Sequence, residues 1–598
     1  MTSLEKLERP DDVEETRGNT LWGSDVFAEM MRRIGLKYVA LNPGASYRGL
    51  HDSIVNRLGN TEPQMILCLH EEHAMSLAQG YAKVTGEPMG AILHSNVGLL
   101  HGAMGIFNAW VDRVPVMVFG ATGPVDAAKR RPWIDWIHTA QDQGGLIRSF
   151  IKWDDQPGSV IAAIESILRA NQIAKTAPQG PTYVCLDAAL QEQRLDEMPD
   201  FPDTARFQPP PLAVPSPATI AEALKLLKGA KNVYILAGRV SRDPLAWRRR
   251  VALAEALNAK VSTDLKNAAA FPTDHKAHCG KPGFSLAPDA SDALAASDVV
   301  LSLDWVDLGG TTKMAFGKKG VTAKIIQISL DHILHTGWSM EHQQLPVVDL
   351  HLAADPDATV AELCTALGIA DSALPKLEEL GAAPTLTKAQ DGDVIDIPGF
   401  GSAIGEALQG EKICMVRVPL GWDGGMWHFR HPLDYLGTDG GGGVGSGPGM
   451  TVGASLGLRG TAPDRLPVAL LGDGDFMMAS SALWTATHYR LPMLIVICNN
   501  QSFYNDEVHQ ERVAKMRNRP VGNKWIGQRF SDPEIDLAAI ARAQGAEGIG
   551  PVRTPKELAA AVKQGLAHVK QGKVCVIDAR VQPGYTPAMA NTLVRAND

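Results

Sequence analysis

The chain has 598 residues, 45% of them hydrophobic and 21% charged, with a formal net charge of −9 and a pI near 6.0. Such a length implies three or four domains of about 150–200 residues, and an acidic balance without any Lys/Arg block excludes a nucleic-acid footprint. Seven cysteines without a CxxC pair argue against a disulfide framework or a zinc site, and a charged start from Met1 to Arg17, with no apolar run of membrane-spanning length, predicts a soluble cytoplasmic protein.

Apolar runs alternate with helical patterns along the whole chain, which predicts an α/β protein. Met65 to Leu69 reads as a buried strand running into His70-Glu71-Glu72-His73-Ala74, and a helical pattern follows through Gln79-Gly80-Tyr81-Ala82 to Thr85-Gly86. Ala91-Ile92-Leu93-His94-Ser95 ends another strand, and Val116 to Gly120 is a third. A proline-bearing stretch from Met198 to Pro217 and a loose, polar one from Ala370 to Pro398 divide the chain into three α/β domains, expected over 18–195, 215–370 and 396–585. In the middle domain Val233 to Ala237, Val299 to Leu303 and Ile325 to Ile328 read as strands. Ala237-Gly238-Arg239 offers one phosphate-compatible turn there, which alone is a weak nucleotide signal.

The third domain carries the strongest signal. Val468 to Leu471 reads as a strand, Ala479 to Tyr489 as a helix and Met493 to Cys498 as a second strand. A right-handed crossover brings both strand ends to one sheet edge, where open α/β sheets bind ligands. Leu471-Gly472-Asp473-Gly474-Asp475 ends the first strand and Asn499-Asn500 ends the second. Asp473 and Asn500 supply hard oxygen ligands suited to Mg²⁺, while Gly472 and Gly474 let the backbone approach a phosphate at a helix N-terminus. Either half alone is an ordinary strand-to-helix turn; the pair reads as a magnesium-diphosphate site.

This paired GDG and NN motif resembles that of the thiamine-diphosphate enzyme superfamily, and the resemblance covers most of the chain. It implies three doubly wound parallel-sheet domains: pyrimidine-binding, central and diphosphate-binding. It implies Asp473, Asn500 and the main-chain carbonyl of Ser502 as metal ligands, with Gly472, Gly474 and Asp475 also at the cofactor. Val444, within Gly440-Gly441-Gly442-Gly443-Val444-Gly445, becomes the apolar wedge beneath the folded cofactor. Glu71, and not Glu72, stands at the family's distance from Gly80-Tyr81 and is implied as the glutamate that shares a proton with the aminopyrimidine. Since the first domain of one subunit faces the third of another in this family, the resemblance implies a homo-oligomer, a tetramer by preference.

Ser481 to Ala486, with Tyr489, looks most like the benzoylformate decarboxylase branch, as does Ala91 to Ser95, and His94 matches that branch's active-site histidine. The chain also departs from the branch. Asn42-Pro43-Gly44 is followed by Ala45 and only then Ser46, so a pocket hydroxyl is missing or displaced by one position; the loop from Asn96 to Gly102, with His101, is one residue longer; and Leu303-Asp304-Trp305-Val306-Asp307 stands in place of a second histidine. Phe503-Tyr504-Asn505-Asp506 puts polar groups where the branch has apolar ones, so the substrate is expected to carry oxygens near Tyr504 and Asn505. Trp133, Trp136 and His138 read equally as an aromatic pocket wall or as surface packing.

The expected activity is thiamine-diphosphate- and Mg²⁺-dependent C–C cleavage or formation on a 2-oxo acid or acyloin, as in a decarboxylase/carboligase. An acetolactate-synthase-like transferase and a lyase or hydrolase of hydroxyketones or diketones are the alternatives. A cofactor-binding protein without turnover is disfavoured by Glu71. FAD is compatible with the central turn but not expected.

Overall fold

The computed structural model describes residues 4, 7–10, 20–331, 345–380 and 388–584. Part of the N-terminal segment Met1 to Arg17, and residues 381–387 of the second dividing stretch, lie outside them, as do the outermost residues expected of the first and third domains, 18–19 and 585.

Three parallel sheets carry the fold, as the alternation of apolar runs requires. The first has six strands in the order Gln64–Leu67, Tyr38–Leu41, Met89–Leu93, Val116–Thr122, Thr182–Asp187 and Trp153–Asp155. The second has Lys260–Ser262, Val233–Ala237, Val299–Leu303, Lys324–Ile328 and Leu350–Leu352. The third has Ile413–Arg417, Leu466–Gly472, Met493–Asn499, Val574–Arg580 and Glu547–Val552. Helices cover both faces, so central strands such as Met89–Leu93, Val116–Thr122 and Met493–Asn499 are buried at every residue, which is why they read as continuous apolar runs and not as alternating ones. An antiparallel pair, Leu21–Trp22 with Arg194–Leu195, joins the start of the first unit to its end. Six of the seven cysteines are buried thiols, and Cys279 is half-buried.

The first and third units meet through two helices, Glu71–Thr85 and Gly447–Thr461. Small residues let their backbones touch: a Cβ on Gly80 would stand 2.1 Å from the Met450 carbonyl oxygen, and one on Gly453 would stand 1.9 Å from that of Leu77. Beside this crossing, Lys83 is buried in an ion pair with Asp112 at 2.6 Å. Because backbone, not a flexible side chain, blocks the added methyl, Gly453→Ala should destabilise the protein by about 1–3 kcal/mol. A urea titration followed by tryptophan fluorescence would read this as an earlier unfolding midpoint, and an unchanged midpoint would contradict the close crossing.

One element differs from expectation. The single helix expected over Ala479 to Tyr489 is two short ones, Asp473–Ala479 and Ala482–His488. Asp473 and Gly474 are already helical, although a Gly-Asp-Gly triplet reads as a turn. The break falls at Ser480-Ser481, where Leu483 and Trp484 donate to the carbonyls three residues back and serines sit poorly in a helix interior.

Candidate active site

Glu71 occupies the first turn of its helix, where a carboxylate is favoured by the unpaired N–H groups. It is buried, 6% exposed, and its Oε2 lies 3.1 Å from His101 Nδ1. His70 caps the same helix, its Nδ1 accepting from Glu72 N at 3.1 Å, and its ring stacks on His101 at 5.0 Å. Burial lowers the His70 imidazole first, with Glu71 opposing it and His101 acting the same way as burial. Gly98 faces this carboxylate: a Cβ there would stand 3.2 Å from Glu71 Oε1 and 3.3 Å from His94 Cβ.

His94 ends the strand Met89–Leu93 and precedes the helix Ser95–Val111. Ser46 Oγ lies 2.8 Å from its Nδ1, Ser46 N donates to the same nitrogen at 3.3 Å, and Ser46 Oγ accepts from Ser95 N at 3.2 Å. The hydroxyl sought next to Asn42-Pro43-Gly44 is therefore displaced by one position and still present at the histidine. Two donors on Nδ1 make it an acceptor, which leaves the proton of a neutral ring on Nε2. Gly44 is required against the ring, since a Cβ would come within 2.3 Å of His94 Cβ. Burial lowers the His94 imidazole first, with His138 and Arg131 acting the same way and Glu71 opposing them. The ring of His138 meets that of His94 edge-on, 4.8 Å apart at 88°. Ala45 is exposed, and its carbonyl accepts from Arg48 at 2.9 Å.

In the third unit Asp473 Oδ1 accepts from Gly474 N at 2.8 Å and Oδ2 from Gln501 N at 2.5 Å, which draws the two strand ends together. Burial raises the Asp473 carboxyl to about 6 despite these bonds. Asn500 Oδ1 accepts from Ser502 N at 3.0 Å, and Ser502 Oγ donates to Glu507 at 2.6 Å, itself held by Arg529 at 2.7 Å. Asn499 is turned away onto Asp578 at 2.8 Å. Tyr504 and Asn505 open the helix Tyr504–Met516, and the Asn505 Oδ1 is buried without a hydrogen-bond partner.

The glycine-rich loop is braced by acidic groups on both sides. Gly442 N donates to Asp439 at 3.1 Å, and Gly445 N to Asp475 at 2.6 Å. Arg417 joins the two carboxylates, bonding Asp439 and lying 3.2 Å from Asp475. Asp475 thus secures the loop, and Val444 is left 41% exposed at its tip. Gly442 has φ +71°, and no atom lies within 4 Å of a Cβ added there or at Gly472, so both present open backbone.

Glu71, His94, Ser46 and His101 form one cluster, Asp473, Asn500 and Ser502 another, and Val444 stands at a third place. Next to Glu71, the Glu72 carboxyl is raised by burial and then by Asp475 and Asp439 of the third unit, and its Oε1 is buried without a partner. Trp133 and Trp136, 69% and 76% exposed, lie at the surface of this chain. The sequence reading missed Gly44, Gly98, the Asp439–Arg417 brace and the nearness of His138. An aspartate directly before a glycine run was a usable sign of the brace; nothing local marked His138.

A separate cavity of about 1490 Å³ lies among the three units, lined in part by Lys83, Arg239, Arg242, Trp427 and His431. It includes none of the candidate catalytic residues. At the central turn, Gly238 packs on the Asp304 carbonyl, where a Cβ would stand 2.4 Å away. Arg239 pairs with Asp304 at 3.0 Å and with Asp331 at 2.7 Å, and Asp331 holds Arg113 of the first unit at 2.7 Å. Asp304 thus braces Arg239 within the central unit, and Asp331 makes the junction to the first unit.

Residues 21–146, 220–363 and 421–579 match, respectively, the N-terminal TPP binding, central and C-terminal TPP binding domains of thiamine pyrophosphate enzymes. Among curated proteins, the acetolactate synthase large subunit of Haemophilus influenzae is 23% identical over 94% of each chain. The benzoylformate decarboxylase of Pseudomonas aeruginosa is 25% identical over 90% of this chain and 95% of its own. Among solved structures, a thiamine diphosphate-dependent 4-hydroxybenzoylformate decarboxylase of Rhodococcus jostii RHA1 aligns over 95% of this chain and 100% of its own, with a TM-score of 0.72 and 22% identity. Benzoylformate decarboxylase from Polynucleobacter necessarius aligns over 95% and 99%, with a TM-score of 0.75 and 18% identity.

Proposed function

Because the chain belongs to the thiamine pyrophosphate enzyme family and matches all three of its domains, we propose that it is a Mg²⁺- and thiamine-diphosphate-dependent lyase of 2-oxo acids or acyloins, with decarboxylase and carboligase activity. The observation that carries this reading is the convergence of a buried Glu71 and a Ser46-held His94 at neighbouring helix starts, both against Gly98.

The residues present fit the cofactor. Asp473 is a buried carboxylate whose oxygens accept from backbone N–H groups, and burial raises its carboxyl. Together with the Asn500 side chain and the Ser502 carbonyl it offers an all-oxygen set suited to Mg²⁺. Gly472, Gly474 and the open backbone at Gly442 would admit the diphosphate, and Val444 would meet the rings. When bound, thiamine diphosphate supplies an electron sink for the carbon left by C–C cleavage. Glu71 holds a proton for the aminopyrimidine. His94, neutral near pH 7 with its proton on Nε2, donates a hydrogen bond to a substrate oxygen, and Ser46 fixes its ring for that task. Tyr504 and the unpartnered Asn505 Oδ1 favour a substrate with a polar group at the distal end of the pocket.

We assign the pyrimidine-binding, central and diphosphate-binding roles to 18–195, 215–370 and 396–585. The working unit is a homo-oligomer, a tetramer by preference, in which Glu71 of one copy faces Val444 of another; the exposure of Val444 in a single chain supports this. No described helix is long and apolar enough to cross a membrane.

The test is CO₂ release and product mass across a panel of 2-oxo acids and acyloins with Mg²⁺ and thiamine diphosphate. Release of CO₂ with an aldehyde supports the reading; a ketol from two 2-oxo acids without free aldehyde moves the enzyme to the transferase class of the acetolactate synthases. On the preferred substrate, His94→Ala should lower kcat/KM by about 10²-fold or more, and parental steady-state kinetics in this variant would remove His94 from the reaction.

A further inference from the structure

His138 is brought to His94 by a loop built to hold it there. Asp135, 2% exposed, accepts from Arg131 N at 2.6 Å and from its guanidinium at 3.0 Å, while Arg130 Nε donates to the Pro124 carbonyl at 2.7 Å. Trp133 takes φ +66°, a left-handed value costly for an aromatic residue and kept only where its surroundings impose it. Asn96, in the first turn after His94, donates to the Ile137 carbonyl at 3.2 Å, tying the residue before His138 to the helix start that carries His94. The edge-on contact of the two rings, 4.8 Å apart at 88°, is the preferred aromatic arrangement, a positive edge against a negative face. In the central unit, Asp304, which stands where a second histidine was sought, is engaged by Arg239 at 3.0 Å.

We propose that His138 is a positioning residue for His94, a second imidazole whose edge-on packing, together with Ser46, fixes the ring's orientation. This inference rests on the assignment of His94 to the active site. The charged or titratable groups acting on His94 are His138 and Arg131 from the loop and Glu71 from the facing helix; Arg131 is itself neutralised by Asp135. Placing two protons on rings this close costs Coulomb energy, so the protonation of either ring opposes that of the other. Removing His138 therefore makes His94 easier to protonate, while Ser46 and Glu71 stay in place.

The test uses the full chain with Mg²⁺ and thiamine diphosphate and reads His94 directly. Diethyl pyrocarbonate modifies neutral imidazoles, and its rate at His94, separated from His101 by peptide fragmentation, is followed from pH 5 to 8 in the parent, His138→Gln and His138→Phe. Both variants should move the His94 midpoint upward by roughly 0.5–1 in pH, with the acid limb of kcat/KM moving in the same direction. His138→Phe keeps an edge-on ring without a charge, so it separates packing from electrostatics even if His138→Gln folds poorly. An unmoved His94 midpoint in the phenylalanine variant overturns the proposal. Absence of cofactor-dependent turnover in the parent instead sinks the enzymatic reading and leaves the modification result standing by itself.

Discussion

Glu71→Gln should lower cofactor-dependent turnover by about 10²–10⁴-fold, the range of a lost general acid–base group, while thiamine diphosphate still binds. Glutamine keeps the shape of the side chain and a hydrogen bond in a space that is 6% exposed, so the fold and the cofactor's seat are preserved; what is lost is the capacity to hold a full proton. The His101 contact at 3.1 Å becomes a neutral hydrogen bond, and His101 cannot replace the carboxylate, since it lies on the exposed side with its side chain 61% accessible. Steady-state rates at saturating cofactor, with cofactor binding followed by tryptophan quenching, check both halves. A variant within about a factor of three of the parent would remove Glu71 from the chemistry.

Asp473→Asn should have opposite effects on the cofactor-free and the loaded protein. The carboxyl rises from an ordinary 3.8 to about 6 on folding, because burial outweighs its backbone hydrogen bonds. A raised pKa favours folding below the unfolded value, and that contribution is lost as pH climbs through the folded value. Carrying the charge at pH 7 to 8 thus costs the cofactor-free fold roughly 3 kcal/mol. Asparagine removes that cost, so without cation the variant should be the more stable of the two at pH 8 and should lose its advantage near pH 4. With Mg²⁺ and thiamine diphosphate at about 100 times their dissociation constants, the parent should gain about 2.7 kcal/mol and the variant little or none. Thermal unfolding at pH 4, 6 and 8, with and without both ligands, reads all of this. Equal stabilisation of parent and variant by the ligands would show that Asp473 does not hold the metal.

Much of this architecture was legible in the chain because buried parallel strands leave a signature that survives without context. Met493 to Cys498 and Val116 to Gly120 are apolar on both faces, and their shortness together with their β-branched residues marks interior strands rather than buried helices. The proposed roles of Glu71 and Asp473 rest instead on a resemblance: a fixed residue type at a fixed distance from a glycine or a strand end. Where the expectation failed, tertiary contact had overridden local propensity. Asp473-Gly474 looked like a turn but is helical, because Gln501 N and Gly474 N satisfy the carboxylate at the point where the helix begins. Ser46 looked like a misplaced hydroxyl until Gly44 was seen packed on the His94 ring, which lets the chain deliver the next hydroxyl instead. His138, just after the short helix Ile134–Ile137, gave no local sign of its contact, since its partner His94 is distant in sequence and such a contact has no period.

The most direct measurement is exchange of the cofactor's C2 proton with deuterium, followed by NMR after acid quench, for thiamine diphosphate bound with Mg²⁺ to the parent, to Glu71→Gln and free in solution. It requires no knowledge of the substrate. Exchange faster on the parent than in free solution, and returned near the free rate in Glu71→Gln, is the predicted result. Exchange on the parent no faster than in solution, or equally fast in the glutamine variant, would contradict the assignment of Glu71 as the group that activates the cofactor.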